Sequence, residues 1–124
     1  MTTYYTDQHE WISVDGDIAT VGITRHAAEQ LGDVVFVEFP DVGKAIAIKE
    51  AVAVVESVKA ASDVFTPVSG EVMEANQNIV GEPAKVNDDP EGAAWFFKVK
   101  LSDKGELDGL MNKITYDAFV ESGG

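Results

Sequence analysis

Two runs rich in β-branched residues, Val52–Val58 and Val64–Val68, enclose a short segment of small and polar side chains, with Lys59 near its middle. The pattern predicts two strands folded back on each other with Lys59 at the tip. Tight hairpins usually recruit Gly, Asn or Asp where a positive φ is needed, and Lys59-Ala60-Ala61-Ser62 offers none before Asp63. A type I turn or a slightly longer loop therefore fits better. Ser57, Ala60, Ala61 and Ser62 leave the lysine without bulky neighbours, so another protein's active site can close around its ammonium. A lone turn lysine is ordinarily only a solvated charge; its setting here makes it the leading candidate for chemistry. Ala51–Val58 has apolar residues at consecutive positions, which predicts a strand covered on both faces, a rigid base for the tip.

The same logic organises the flanks. His9–Val14 and Asp17–Val21 alternate as two strands joined by Asp15-Gly16, placing His9 at a strand start in a structural role. Thr24 caps a short helix over 25–31 that ends before Gly32, with His26 structural or exposed. Asp33–Phe39 alternates into a strand broken by Pro40-Asp41-Val42-Gly43, and Lys44–Ile48 forms another. Thr66-Pro67 and Ser69-Gly70 mark a bend, Glu71–Ala75 resumes the strand pattern, and Asn76-Gln77-Asn78 ends it. Asp88–Gly92 is turn material. Ala94–Leu101 is predicted as a core strand with Trp95 and Phe97 on one side and Phe96 on the other. Asp108–Met111 suggests a turn, and Thr115 a cap for a terminal helix near 115–122 whose apolar face is Tyr116, Phe119 and Val120. Ser122-Gly123-Gly124 is expected to fray.

At 124 residues without a low-complexity linker, the chain suits one domain, 1–124, with the hairpin at 52–68 and a helical segment at 103–124. A net charge of −13, with Arg25 the one arginine, disfavours nucleic acid and anionic membranes as partners and favours enzymes with basic rims. No apolar run reaches membrane-spanning length, and Met1–Asp7 lacks the features of a targeting segment, so a cytoplasmic protein is expected. The absence of cysteine excludes disulfides, thiolate catalysis and zinc–thiolate sites. Thiol chemistry, if present, must use sulfur attached from outside. Two histidines cannot supply a three-histidine zinc site. There is no phosphate loop, nucleophile elbow or His-Glu-x-x-His helix, so a non-catalytic protein is expected.

The run Glu56-Ser57-Val58-Lys59-Ala60 resembles the lipoyl-lysine motif, and the fuller Val55–Asp63 resembles the form in the H-protein family of the glycine cleavage system. Gly43 and Gly70 flank the lysine at the separations lipoyl-domain families keep. His9-Glu10-Trp11, Val21–Thr24, Leu31–Val35, Val37–Pro40, Pro67–Val72 and Asp88-Asp89-Pro90 with Trp95 resemble that family's landmarks, in its order, over nearly the whole chain. Ala93 and Ala94 depart from the Gly or acidic residues that relatives often place there.

The resemblance implies a mainly β, lipoyl-domain-like barrel-sandwich hybrid whose two halves are related by an approximate two-fold axis, with Gly43 and Gly70 in equivalent turns. It implies lipoate joined covalently to Lys59, with Glu56 contributing to recognition by the lipoylating enzymes. The arm would accept an aminomethyl group from a pyridoxal-phosphate glycine decarboxylase and pass its one-carbon unit to tetrahydrofolate through an aminomethyltransferase. A dihydrolipoamide dehydrogenase would then reoxidise the dithiol. The carrier is expected to be a monomer. The alternatives are a lipoate-relay module not serving glycine breakdown and a biotinyl-type carrier, although the latter's motif places Met on both sides of the lysine where this chain has Val58 and Ala60.

Overall fold

The computed structural model describes residues 2–123, so Gly124 of the expected fraying terminus lies outside the described residues. Among the described residues, nine strands form two antiparallel sheets. The larger runs in the order β1 (Thr2–Tyr5), β2 (Glu10–Asp15), β3 (Ile18–Ile23), β9 (Phe97–Leu101), β8 (Gly70–Ala75) and β5 (Ala45–Ile46). The smaller is β4 (Val34–Glu38), β6 (Ala51–Ser57) and β7 (Ala61–Phe65). One apolar cluster draws on both, with Ile12, Val21, Val72, Phe97 and Val99 from the first and Val34, Val37, Val55 and Val64 from the second. This is the mainly β, barrel-sandwich arrangement that the sequence led us to expect.

Local signals account for much of it. Asp15 pairs with Ile18, so β2 and β3 are joined by Gly16-Asp17, one residue later than expected. Thr24 Oγ1 accepts the Ala27 amide and opens α1 (Arg25–Leu31), which Gly32 closes at φ 76°. The terminal helix α4 (Lys113–Glu121) starts earlier than expected, because Asn112 rather than Thr115 is its cap: the Asn112 side chain accepts the Thr115 amide at 2.8 Å.

Other expectations are corrected. Asn76 does not simply end β8; its side-chain oxygen accepts the Asn78 amide and starts a helix, α2 (Gln77–Gly81), followed by α3 (Lys85–Asp88). β6 is fully buried on one face only: Ala53 and Val55 are buried, while Val54 and Glu56, on the other face, are half-exposed. The strand expected from Ala94 begins at Phe97, and Trp95 and Phe97 join different clusters. Phe96 and Phe97 lie in the main core, while Trp95 packs on a second cluster of Tyr5, Trp11 and Tyr116. A 3-10 helix at Lys104–Gly109 precedes Met111, which bridges to Tyr5.

Gly43 and Gly70 do not occupy equivalent turns. Gly43 lies in a turn at φ 92°, a left-handed conformation that other residues adopt only with strain. Gly70 instead opens β8, where any Cβ would be pressed into the Lys100 carbonyl and the Val99 side chain. One glycine answers a backbone angle and the other a shortage of space.

Candidate functional site at the β6–β7 turn

Lys59 stands exposed at the tip between β6 and β7. The turn needs no positive φ, and none occurs there, because Ser57 holds it. The Ser57 amide donates to the Ala60 carbonyl at 2.8 Å, and the Ser57 hydroxyl oxygen accepts the Lys59 and Ala60 amides, each at 3.2 Å. A serine side chain thus does what an Asn-Gly pair does in tighter hairpins. The Val58 amide donates to the Asp33 carbonyl at 3.1 Å, tying the tip to the segment entering β4.

The lysine side chain lies along the end of α1. Its Nζ donates to the Gln30 carbonyl at 3.4 Å, and its Cε passes where a Cβ on Gly32 would stand. A helix C-terminus carries unsatisfied carbonyls and partial negative charge, which favours a cation there. At that distance the contact is weak and solvated, and Lys59 has no carboxylate partner among the described residues. The amine is therefore presented, not sequestered. Glu56, the second residue singled out from the sequence, is half-buried at the foot of the turn, opposite Phe36 on one side and Ala61 on the other.

Gln30 also lines a small cleft of about 200 Å³ with Gln8, Glu10, Leu31, Val55 and Asp63, between α1 and the inner face of the hairpin. A larger cleft of about 740 Å³, lined by Tyr5, Ile48, Phe65, Pro67 and Met111, lies on the far side of Glu10 and touches neither Lys59 nor α1. Glu10 forms part of the wall of both.

Glu10 is the functional candidate that the sequence did not single out. The residue is 3 % exposed. The Thr6 hydroxyl donates to one oxygen at 2.9 Å and the Phe65 amide to the other at 3.1 Å. Burial nevertheless pushes its pKa up to about 7, against the opposing pull of those two hydrogen bonds. Nothing local in His9-Glu10-Trp11 signals this, because the burial exists only once segments distant in the chain, such as Phe65 of β7, stand beside it.

The two histidine rings pack together, and His9 lies edge-on to Tyr116 of α4. His9, at φ 65°, places Nδ1 2.7 Å from the Tyr116 hydroxyl, which also lies 2.8 Å from Thr24 Oγ1. Burial and the neighbouring His26 ring, 4.5 Å away between centroids, lower the His9 pKa. Ala94 is fully buried in the core and Ala93 is exposed; neither lines the small cleft. No group of three metal-ligating side chains and no helix long and apolar enough to cross a membrane occurs among the described residues.

Comparison with known proteins converges on one family. The family model described as glycine cleavage H-protein matches residues 3–123. The chain is 62% identical over 116 residues to the glycine cleavage system H protein of Phenylobacterium zucineum (strain HLK1), covering 94% of this chain and 96% of that one. It is 60% identical over 117 residues to the protein of the same name from Bradyrhizobium diazoefficiens, with the same shares covered. Its fold is similar to the crystal structure of a glycine cleavage system H protein from Mycobacterium marinum, with a TM-score of 0.87 at 36% identity, covering 98% of this chain and 97% of that chain.

Proposed function

The chain belongs to the glycine cleavage H-protein family, and on that premise we propose that Lys59 is its point of covalent lipoyl attachment. Its role is that of the lipoyl carrier in glycine cleavage. The observation that carries the assignment of Lys59 is its presentation: an exposed amine on a turn braced by Ser57, flanked by small residues and held only by one long hydrogen bond to Gln30. An acyl donor can reach such a nitrogen without disturbing the core, so the residues present fit the group. When bound, lipoate supplies a dithiolane that takes up the aminomethyl group and is left as a dithiol.

The protein's own residues hold and orient. Ser57 fixes the turn, and α1 offers its terminal carbonyls as a track for the lysine stem. The small cleft, which shares Gln30 with Lys59, provides a place beside the hairpin where Glu10 favours a cation and Leu31 and Val55 keep water away. Glu56 contributes to recognition by the lipoylating enzymes.

Membership of the system implies partner enzymes. The proposal takes them to be the glycine decarboxylase, the aminomethyltransferase and the dihydrolipoamide dehydrogenase, with the chain acting as a non-catalytic, monomeric, single-domain carrier in the cytoplasm. Tethering raises the effective concentration of the carried group at each docked partner. Intact-mass analysis after incubation with a lipoate–protein ligase, lipoate and ATP should show one lipoyl group on the wild-type chain, mapped to Lys59, and none on Lys59→Ala. Uptake of the group by the variant would refute the site. Glycine–bicarbonate exchange with the decarboxylase separates this carrier from a relay module, which would not support it.

A further inference from the structure

We propose that the outer face of the small sheet, opposite the cleft, is the surface on which the lipoyl-attaching enzyme docks; the inference rests on the assignment of Lys59 above. The pairing register builds this face in two rows below the turn. Phe36, Glu56 and Ala61 lie side by side in the row nearer Lys59, and Glu38, Val54 and Asp63 in the next. Phe36, Ala61, Glu38 and Asp63 are exposed on it and Val54 and Glu56 half-buried.

A bulge makes the face apolar where it need not be. Between Val34 and Phe36 the register of β4 against β6 shifts, so the buried positions are Val34 and Val37, and two successive side chains turn outward. Val35 is 54% and Phe36 44% exposed, on the edge strand beside the lysine hairpin, while Val58 next to Lys59 is 69% exposed. Bulges commonly re-aim side chains beside functional sites, and clustered exposed apolar groups ringed by polar ones mark interaction surfaces. Here the polar groups are Glu38, Glu56 and Asp63, none of which is in an ion pair among the described residues. The matching partner surface is an apolar saddle rimmed by Lys and Arg.

Reach selects the occupant. Once the arm is attached, the enzymes that use the dithiolane meet it at the far end of a long flexible tether. Only the enzyme that forms the amide must bring its reacting carbon to within bonding distance of the lysine nitrogen. In that step deprotonated Nζ attacks the carbonyl carbon of the lipoyl adenylate made from lipoate and ATP. The C–N bond forms, the acyl–oxygen bond breaks, AMP departs with the electron pair, and the nitrogen releases one proton. An enzyme positioned to do this covers the turn and the first rows of the sheet beneath it.

The test measures kcat/KM for ligation of lipoate to the purified full chain by a lipoate–protein ligase with ATP, with thermal unfolding as the check on folding. Phe36→Ser should lower kcat/KM about tenfold, the loss expected when a central interface contact is removed. The double variant Glu38→Gln/Asp63→Asn should lower it about tenfold at low salt and less at high salt. Ile114→Ser, at a still more exposed apolar position on α4, which packs against β1 of the other sheet, should stay within about twofold of wild type. Patch variants that ligate as fast as wild type, or that slow only as much as Ile114→Ser, overturn the proposal. So does a loss confined to the decarboxylase exchange reaction, which would assign the face to that enzyme. A wild-type chain that takes no lipoyl group at Lys59 is a different result and refutes the carrier assignment itself.

Discussion

The lysine turn and the C-terminal clasp are both held together by a hydroxyl, with opposite consequences. At the turn, Ser57 Oγ accepts two backbone amides, the neighbours are small, and the Lys59 side chain lies in solvent. At the clasp, the Tyr116 hydroxyl sits between His9 and Thr24, its ring stacks on Tyr5 at 4.8 Å, and the residue is 4 % exposed. The first arrangement fixes a backbone shape while burying almost nothing. The second buries aromatic surface and draws α4, β1 and the His9 loop together. The comparison teaches that a presented side chain and a packed one rest on separate contacts in this molecule, so a change at one should leave the other nearly untouched.

The sharpest break would come from Lys59→Ala, which should abolish lipoyl uptake by mass spectrometry while leaving the melting temperature within about 2 °C of wild type, since an exposed side chain contributes little to stability. A large drop in melting temperature would show that the tip is structural after all. Tyr116→Ala should do the reverse. Loss of a buried aromatic and its two polar contacts is worth about 4 kcal/mol by denaturant unfolding, and the fraction that remains folded should be lipoylated at the wild-type rate.

Glu10 stands between the two regions and sharpens the contrast through pH. Its folded pKa of about 7 lies above the ordinary 4.5. The group therefore favours the folded state fully below pH 4.5, and that contribution disappears as pH rises through 7. The wild-type protein should lose about 3 kcal/mol of stability across this window from Glu10 alone. Glu10→Gln, which cannot ionise, should flatten the profile whatever its absolute stability; an unchanged slope would remove Glu10 as its source. The smallest effect is expected from Ser57→Ala, which leaves the Lys59 and Ala60 amides to water. It should cost about 1 kcal/mol and slow lipoylation a few-fold, because the turn no longer holds one shape.

Where neighbours in the chain suffice, the sequence was legible. The β6–β7 hairpin, whose second strand lies at Ala61–Phe65 rather than at the expected Val64–Val68, the Lys59 tip, the Thr24 cap of α1 and the apolar face of α4 all depend on residues within a turn or two of each other. The failures share a cause. Asn76-Gln77-Asn78 looked like a strand terminator because Asn serves both turns and caps, and its side chain also donates to the Ala93 and Trp95 carbonyls, which sit far along the chain. β6 looked doubly covered because an apolar run does not say whether anything packs on its second face. Glu10 looked like any carboxylate in an acidic chain.

The amino-acid sequence by itself determined most of the strands, the Thr24 cap of α1 and a lysine that no bulky neighbour hides, since these follow from backbone preferences and side-chain size acting over short range. Tertiary structure alone decided the burial of Glu10, the outward turn of Val35 and Phe36, the reach of Tyr116 to His9 and the space that only glycine fits at Gly70. Desolvation, register and close approach are properties of segments brought together from distant parts of the chain, and each is fixed only when all its contributors are in place.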